Sequence, residues 1–431
     1  MTRVLWHEMR RGEAGKAAAL CAVAGLWYLL SGDPQTNDWA GWWNQTSLVV
    51  HVFGVIVMGS LMAAAAAWSA SRAQRTRAHL WADTTPRGGW SQALLVGAAA
   101  WLWALLVTAL LAAVAFHRTA QISEVTRPAW TPLLLTLAVI GVQIAVGVAA
   151  GTLLPSRIIA PAVGAFWYLV FLLTAFAPDL PLVRLLPAID SHWDVAHQPN
   201  TVRLLLATAW CAAAALAVLA LPALARRTAP APGPLVAVPV AVAVLAAGTL
   251  LFLRPAPHSF WAVPAPQPAE PVCVTEGRTE TCLWPDNRHL LPQARTATRT
   301  VDEALGDLPG FRRAFHEVGL APRGTGSAEL PLARPAVDAR TLTESLLVAA
   351  LPQPPQGCGP HLLDEAGGMP DAYLLEAAVQ SRAKMPPAYY GEDFGAALGR
   401  VLEAPAANRD RWLGAAAHAV GSCRPVPPLP R

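Results

Sequence analysis

The chain has 431 residues, of which 54% are hydrophobic and only 14% charged, with a formal net charge of +4. Soluble proteins carry roughly 25% charged residues, so this composition excludes an ordinary water-soluble globule. A net charge so small gives no reason to expect a nucleic-acid partner. The deficit is uneven: between Ala17 and Ala70 the only charges are Asp33 and Asp38, whereas 254–431 reads as an ordinary polar domain.

The basic lead-in VLWHEMRRGEAGK (4–16) precedes seven apolar runs, at about 16–32, 47–70, 91–116, 131–155, 160–177, 202–225 and 234–253. Each approaches the ~20 residues needed to cross a hydrocarbon core ~30 Å thick. Each is apolar all round, which favours burial in lipid or a bundle over a surface helix. No small-residue cleavage site follows the first run, so it is expected to stay as a span. Trp27, Tyr28, Trp42, Trp43, Trp90 and Trp130 fall near run ends, where amphipathic rings favour the headgroup layer.

Cationic residues orient the spans, because Lys and Arg concentrate in cytoplasmic loops. With the N-terminus inside, the inner segments hold Arg3, Arg10, Arg11, Lys16, Arg72, Arg75, Arg77, Arg87, Arg157, Arg226 and Arg227. The outer ones hold only Arg118, Arg127, Arg184 and Arg203. Seven spans then leave the C-terminal domain outside the cell membrane. Four cysteines fall in that domain, Cys273, Cys282, Cys358 and Cys423, while Cys21 and Cys211 lie within spans as packed thiols. An even number in an oxidising compartment reads as two disulfides. Three pairings are possible; the favoured one joins Cys273 to Cys282 and Cys358 to Cys423. Zinc is the alternative, but no C-x-x-C spacing occurs.

Residues 254–271 form a proline-rich tether. Beyond it, Thr300-Val-Asp-Glu303 and Thr341-Leu-Thr-Glu344 fit the capping box, with the first helix stopping at Pro309-Gly310 and the second at Pro352. Further helices are expected at about 310–319, 371–384, 391–403 and 408–420. Strand alternation is weak. The fold class is therefore an all-α polytopic membrane protein with about seven transmembrane helices and a mostly α-helical, disulfide-stapled extracytoplasmic C-terminal domain.

Motifs for chemistry are sparse. Gly15-Lys16 lacks the earlier glycine and the hydroxyl residue of a phosphate-binding loop, these places being Arg10 and Ala17. His316-Glu317 lacks the second histidine of a zinc protease, position 320 being Leu. Asp190, His192, Asp194 and His197 cluster in one outer loop, but the histidine spacing is poor for shared coordination, and a solvated loop is the plainer reading. His51 and Gln143 lie inside spans, where polar groups are expensive and hence functional suspects. Gly147-Val-Ala-Ala-Gly151 is a G-x-x-x-G that lets another helix approach closely. The inner loop SASRAQRTRAHLWADTTPRGGW (69–90) carries Arg72, Arg75 and Arg77, then Leu80-Trp81 and Pro86; taken alone it also reads as a plain positive-inside loop.

The order of these parts resembles an ABC-2-type transporter permease over about residues 1–227. The lead-in is similar to that family's interfacial elbow helix. The loop RAQRTRAHLWADTTPRGGW resembles its coupling segment, although the acidic residue usual before the leucine is here His79. The loop 179–200 is similar to its extracellular re-entrant helices. The segment VCVTEGRTETCLWPDNRHLL resembles cysteine-bracketed outer domains of permease-like proteins of GC-rich bacteria.

The resemblance implies a six-helix permease core (1–227); the seventh span (228–253), the tether (254–271) and the outer domain (272–431) are additions to that core. It implies a transport subunit, more readily an exporter, that is not itself an enzyme and holds no cofactor. ATP and Mg2+ would belong to a separate ABC ATP-binding subunit docking on 72–88 through Arg72, Arg75, Arg77, Leu80, Trp81 and Pro86. Permease homodimers or heterodimers in membrane lipid are the implied assembly. The competing expectation is a membrane-anchored extracytoplasmic binding or sensory protein without transport activity.

Overall fold

A computed structural model describes residues 2–31, 39–76, 89–123, 128–176, 194–225, 246, 248–249, 261–268, 270–320, 327–332, 335, 337–353, 371–386, 392–424 and 426–430. The chain forms two compact units, one running essentially to Pro264 and the other from Ala265 to Arg431.

The first unit is a bundle of apolar helices. They are α1 (Thr2–Arg11), α2 (Ala14–Leu30), α3 (Trp43–Phe53), α4 (Gly59–Arg75), α5 (Gly89–Ala120), α6 (Thr131–Leu153), α7 (Ile159–Phe176) and α8 (Thr201–Ala225). Helices α3 and α4 form one rod, joined by a π-turn over Gly54–Met58. Among the described residues, four helices are long and apolar enough to cross a membrane: this rod, α5, α6 and α8. The pair α1 and α2, bent by 52°, is a fifth candidate, and α7 is a shorter apolar helix. At a rise of roughly 1.5 Å per residue, the 23 residues of α6 extend about 35 Å. Of the seventh run, only residues 246, 248 and 249 are described, all helical.

Contacts at the helix ends fix the directions. Arg118 of α5 donates to the carbonyl of Leu29 at the end of α2. At the same end Thr46 of α3 meets Thr119 of α5 at 2.6 Å, and Asn44 donates to His197 O, just before α8, at 2.8 Å. Successive rods therefore alternate in direction, as spans must. One core is shared by α2, α4, α5 and α6 around Met58, Met62, Leu111 and Ile140. Another joins α4, α6, α7 and α8 around Val55, Trp167, Phe171 and Leu204. The outward face of α2 leaves a stripe exposed at Leu20, Val23, Trp27 and Leu30, with Trp27 at 74%. A stripe of large apolar residues at helical spacing suits lipid, which needs no polar partner.

Two short strands complete the unit. The strand β1 (His197–Pro199) pairs antiparallel with β2 (Ala262–Pro264). Asn200 N–H donates to Trp261 O at 2.9 Å, and Trp261 is buried in the core with Leu204. The part of the expected tether that is described here is thus pinned to the start of α8.

The second unit, expected to be mostly α-helical, combines its helices with a four-stranded sheet. Its strands are β3 (Val272–Glu276), β4 (Thr279–Leu283), β5 (Ala314–Glu317) and β6 (Ser327–Leu330), in that spatial order. The first two make an antiparallel hairpin, and β4, β5 and β6 run parallel. Gly277-Arg278 forms the two-residue turn with Gly277 at φ +57°, the left-handed backbone that glycine takes at the first turn position. The helices are α9 (Leu291–Leu305), α10 (Ala339–Ala350), α11 (Asp371–Arg382), α12 (Glu392–Glu403) and α13 (Ala406–Gly421). Helices α9 and α10 cover one face of the sheet around Leu283, Phe315, Leu330, Val301 and Leu346.

Three local expectations are corrected. Thr300 is no cap: α9 starts with Pro292 in its first turn, so Thr300 lies mid-helix and its hydroxyl bonds Thr296 O at 3.0 Å. Its neighbour Asp302 instead accepts from Arg278 N–H (3.0 Å) and the Thr279 hydroxyl (2.8 Å), holding the hairpin turn. The cap of α10 is Asp338, accepting from Thr341 N–H at 2.7 Å, not Thr341 itself. The helix expected at 310–319 is the strand β5, where Glu317 is buried and accepts from Trp284 N–H (2.9 Å) and Asn287 Nδ2 (2.6 Å).

Asp302→Ala should lower the stability of this unit by about 2 kcal/mol, and Asp302→Asn by less because it still accepts. Resistance of the full chain to limited proteolysis measures both. His316 on β5 is 5% exposed. Burial lowers its pKa, opposed by the nearby Glu329. The unfolded chain therefore takes up a proton that the folded unit resists, so stability holds at neutral pH and falls as pH drops below about 6.5. In His316→Phe that acid-side loss should flatten.

Candidate functional site: the seam between α4 and α6

The polar groups that the sequence marks inside spans meet on one helix pair. Residues of the α3–α4 rod face α6 at a nearly constant offset, so the two run parallel. Along the half of this seam that leads to Arg75, the α6 side presents glycine at the points of contact. A Cβ placed on Gly147 would lie 2.2 Å from Ala63 O, and one on Gly151 would lie 2.2 Å from Ala67 O. The backbones touch, which only glycine permits.

Towards the other end the seam turns polar. Gln143 of α6 is fully buried and donates from Nε2 to Val55 O in the π-turn at 3.0 Å. Among the described residues its Oε1 has no hydrogen-bond partner. That oxygen sits against Gly59, where a Cβ would come within 1.7 Å. A buried acceptor left unpaired costs about 1–3 kcal/mol. One turn further on, His51 is 3% exposed and its Nδ1 lies 2.9 Å from Thr136 Oγ1. The Thr136 hydroxyl also lies 2.8 Å from Pro132 O, the carbonyl one turn before it.

At its far end α4 carries two of the expected coupling residues. Arg72 donates to both carboxylate oxygens of Glu8 on α1, at 3.2 Å each. Trp103 Nε1 of α5 donates to Met9 O at 3.1 Å, which holds the same helix α1. Arg75 lies 3.9 Å over the Trp68 ring and donates to Trp68 O at 3.3 Å. Both arginines thus engage this chain itself. A pair as exposed as Arg72 and Glu8 contributes at most about 1 kcal/mol, so it orients α1 more than it stabilises the fold. Arg77, Leu80, Trp81 and Pro86 lie outside the described residues.

The cysteines separate in the same way. Cys273 and Cys282 face each other across the hairpin with Cα atoms 4.0 Å apart and their sulfurs at bonding distance. Cys423 is disulfide-bonded and takes a left-handed φ of +57°, at the end of α13. Cys358 lies outside the described residues. Cys21 and Cys211 are buried free thiols. In the outer-loop cluster Asp194 and His197 pair at 2.7 Å, while Asp190 and His192 lie outside the described residues.

What sequence reasoning missed is the π-turn: no residue type announces one, and its signal is only indirect, two glycines five apart, Gly54 and Gly59, the second of them opposite Gln143. No protein-family model matches this chain, and no curated protein or solved structure matches it either.

Gly147→Ala or Gly151→Ala should sharply lower thermal stability in detergent, because the added carbon meets a backbone carbonyl. Gly164→Ala, whose Cβ would meet only Ala64 Cβ at 3.2 Å and Ser60 O at 3.3 Å, should lose much less.

Proposed function

We propose that the chain is the permease subunit of an ABC transporter, driven by a separate ATP-binding subunit that docks on the segment 72–88. The observation that carries this reading is the junction of α1 with α4. The two sequence features that resemble the family, the basic lead-in and the basic loop, lie far apart in the chain, yet Glu8 and Arg72 join them. A docking segment tied to an amphipathic helix has a lever at its start. With Arg72 and Arg75 engaged inside the chain, direct contact with the ATPase falls to Arg77, Leu80, Trp81 and Pro86. ATP and Mg2+ belong to that partner, and a homodimer or heterodimer of permeases in membrane lipid completes the assembly. Export is the proposed direction.

Seven crossings with an extracytoplasmic C-terminal domain are part of the proposal. Two contacts support them. Gly248 abuts Trp210 partway along α8, where a Cβ would come within 2.2 Å. The chain is then back at the start of α8 by Trp261. With Ala225 at the far end of α8, Gly248 beside Trp210 and Trp261 at the start of α8, the described positions suit a seventh crossing. On this reading the second unit is the extracytoplasmic domain, stapled by Cys273–Cys282 and by Cys358–Cys423.

A second reading, a membrane-anchored extracytoplasmic binding or sensory protein, is favoured by the separate sheet and core of the second unit. Affinity purification of the full chain from its native membrane separates the two. An ABC ATPase should co-purify, and replacing Arg72, Arg75 and Arg77 together by Glu should cut its recovery by about tenfold, equivalent to about 1.4 kcal/mol. Purification without an ATPase, under conditions that keep the bundle intact, sinks the permease reading. A tag after Arg431 should be reachable from outside intact spheroplasts; protection of that tag refutes the proposed topology.

A further inference from the structure

The rod α3–α4 is interrupted at one place only among its described residues, the π-turn Gly54–Met58, and that place is where Gln143 inserts. A π-turn holds one residue more than an α-turn and persists only where its surroundings favour it. Here the neighbouring helix supplies the support: Gln143 Nε2 bonds Val55 O, and the bare backbone of Gly59 makes room for Oε1. The two flanks of the turn are held by different partners. The α4 flank is keyed to α6 through Ala63 and Ala67 against Gly147 and Gly151. The α3 flank is held by side chains alone: the polar contacts of His51 to Thr136, Thr46 to Thr119 and Asn44 to His197 O, and buried apolar residues such as Trp43, Leu48 and Val50.

We propose that the π-turn Gly54–Met58, wedged open by Gln143, is a joint at which α3 rotates while α4 stays fixed on α6. Closing the turn into α-helix withdraws Val55 O from Gln143 and turns one flank against the other by about 100°, the angle of one residue. The close backbone contacts leave α4 no freedom to turn, so α3 moves. Its polar bonds exchange, and Gln143, already lacking one partner, is free to find another. Rotation of α3 shifts Asn44 against β1 and hence the pairing of β1 with β2. What drives the joint rests on the permease reading; that it exists does not.

Two variants of the full chain in lipid nanodiscs test it. Deleting Ile56 removes the extra residue and makes the rod continuous with both flanks in their present places. Gln143→Leu keeps the length and removes the wedge. In the parent chain, amide hydrogen exchange over 54–60 should be about tenfold faster than over 61–67, and the Ile56 deletion should abolish the difference. A His51→Cys, Thr136→Cys pair should cross-link in the parent and in the deletion, and roughly fivefold less in Gln143→Leu. Equal exchange across 54–67 in the parent, or undiminished cross-linking in Gln143→Leu, overturns the joint. If an ATPase co-purifies, the deletion should leave its binding intact but lower its stimulated hydrolysis about fivefold; unchanged hydrolysis overturns the joint's role. Exchange and cross-linking as expected with no ATPase present would retain the joint and discard the permease reading.

Discussion

Backbone against backbone at Gly147 and Gly151 sets the terms for the rest of the bundle. In lipid there is no hydrophobic force between helices, so they associate through packing and the occasional polar bond. Where α4 and α6 touch without side chains, their separation is at its minimum and their relative rotation is fixed. Every other contact of the seam follows from that approach. Gln143 can reach Val55 O, and His51 can reach Thr136, because the helices are already close. Helices α5, α7 and α8 then pack around a pair whose geometry is set.

Much of the bundle was legible in the sequence, because an apolar run of membrane length has few alternatives. The runs at 47–70, 91–116, 131–155 and 202–225 lie on the four long apolar helices. The second unit was harder to read, for local reasons. Thr300-Val-Asp-Glu303 matches a capping box, yet Pro292 had already started the helix and Asp302 was needed at the hairpin turn. The strand Ala314–Glu317 is four residues long with three of them buried, which leaves no alternation to see. The Gly277-Arg278 turn has a local sign, a glycine between short segments that carry Thr275, Thr279 and Thr281 and are bracketed by Cys273 and Cys282, but that sign is weaker than the helical patterns around it.

For the site, the residue types were legible and their relations were not. His51, Gln143, Gly147 and Gly151 stand out as polar or small residues in apolar runs. That Gln143 would meet Gly59 and a π-turn depends on an offset between two helices far apart in the chain, which no single segment encodes. The arginines show the converse. Arg72 and Arg75 read as residues of a docking loop for another subunit, and their partners within this chain, Glu8 and Trp68, are not written beside them as a pattern. A residue's chemistry is written locally, whereas its partner is chosen by packing.

Gly59 and Gln143 have a consequence for how this chain can vary. With 1.7 Å between a Cβ at position 59 and the Gln143 oxygen, a larger residue at 59 is admissible only with a shorter one at 143, and such a pair gives up the bond to Val55 O. The constraint runs one way: the glutamine can be lost while the glycine stays, but the glycine cannot be lost while the glutamine stays. Among descendants of this sequence a change at 59 should therefore follow a change at 143, and a lineage that loses the glutamine is released from the glycine and from the extra residue in the turn.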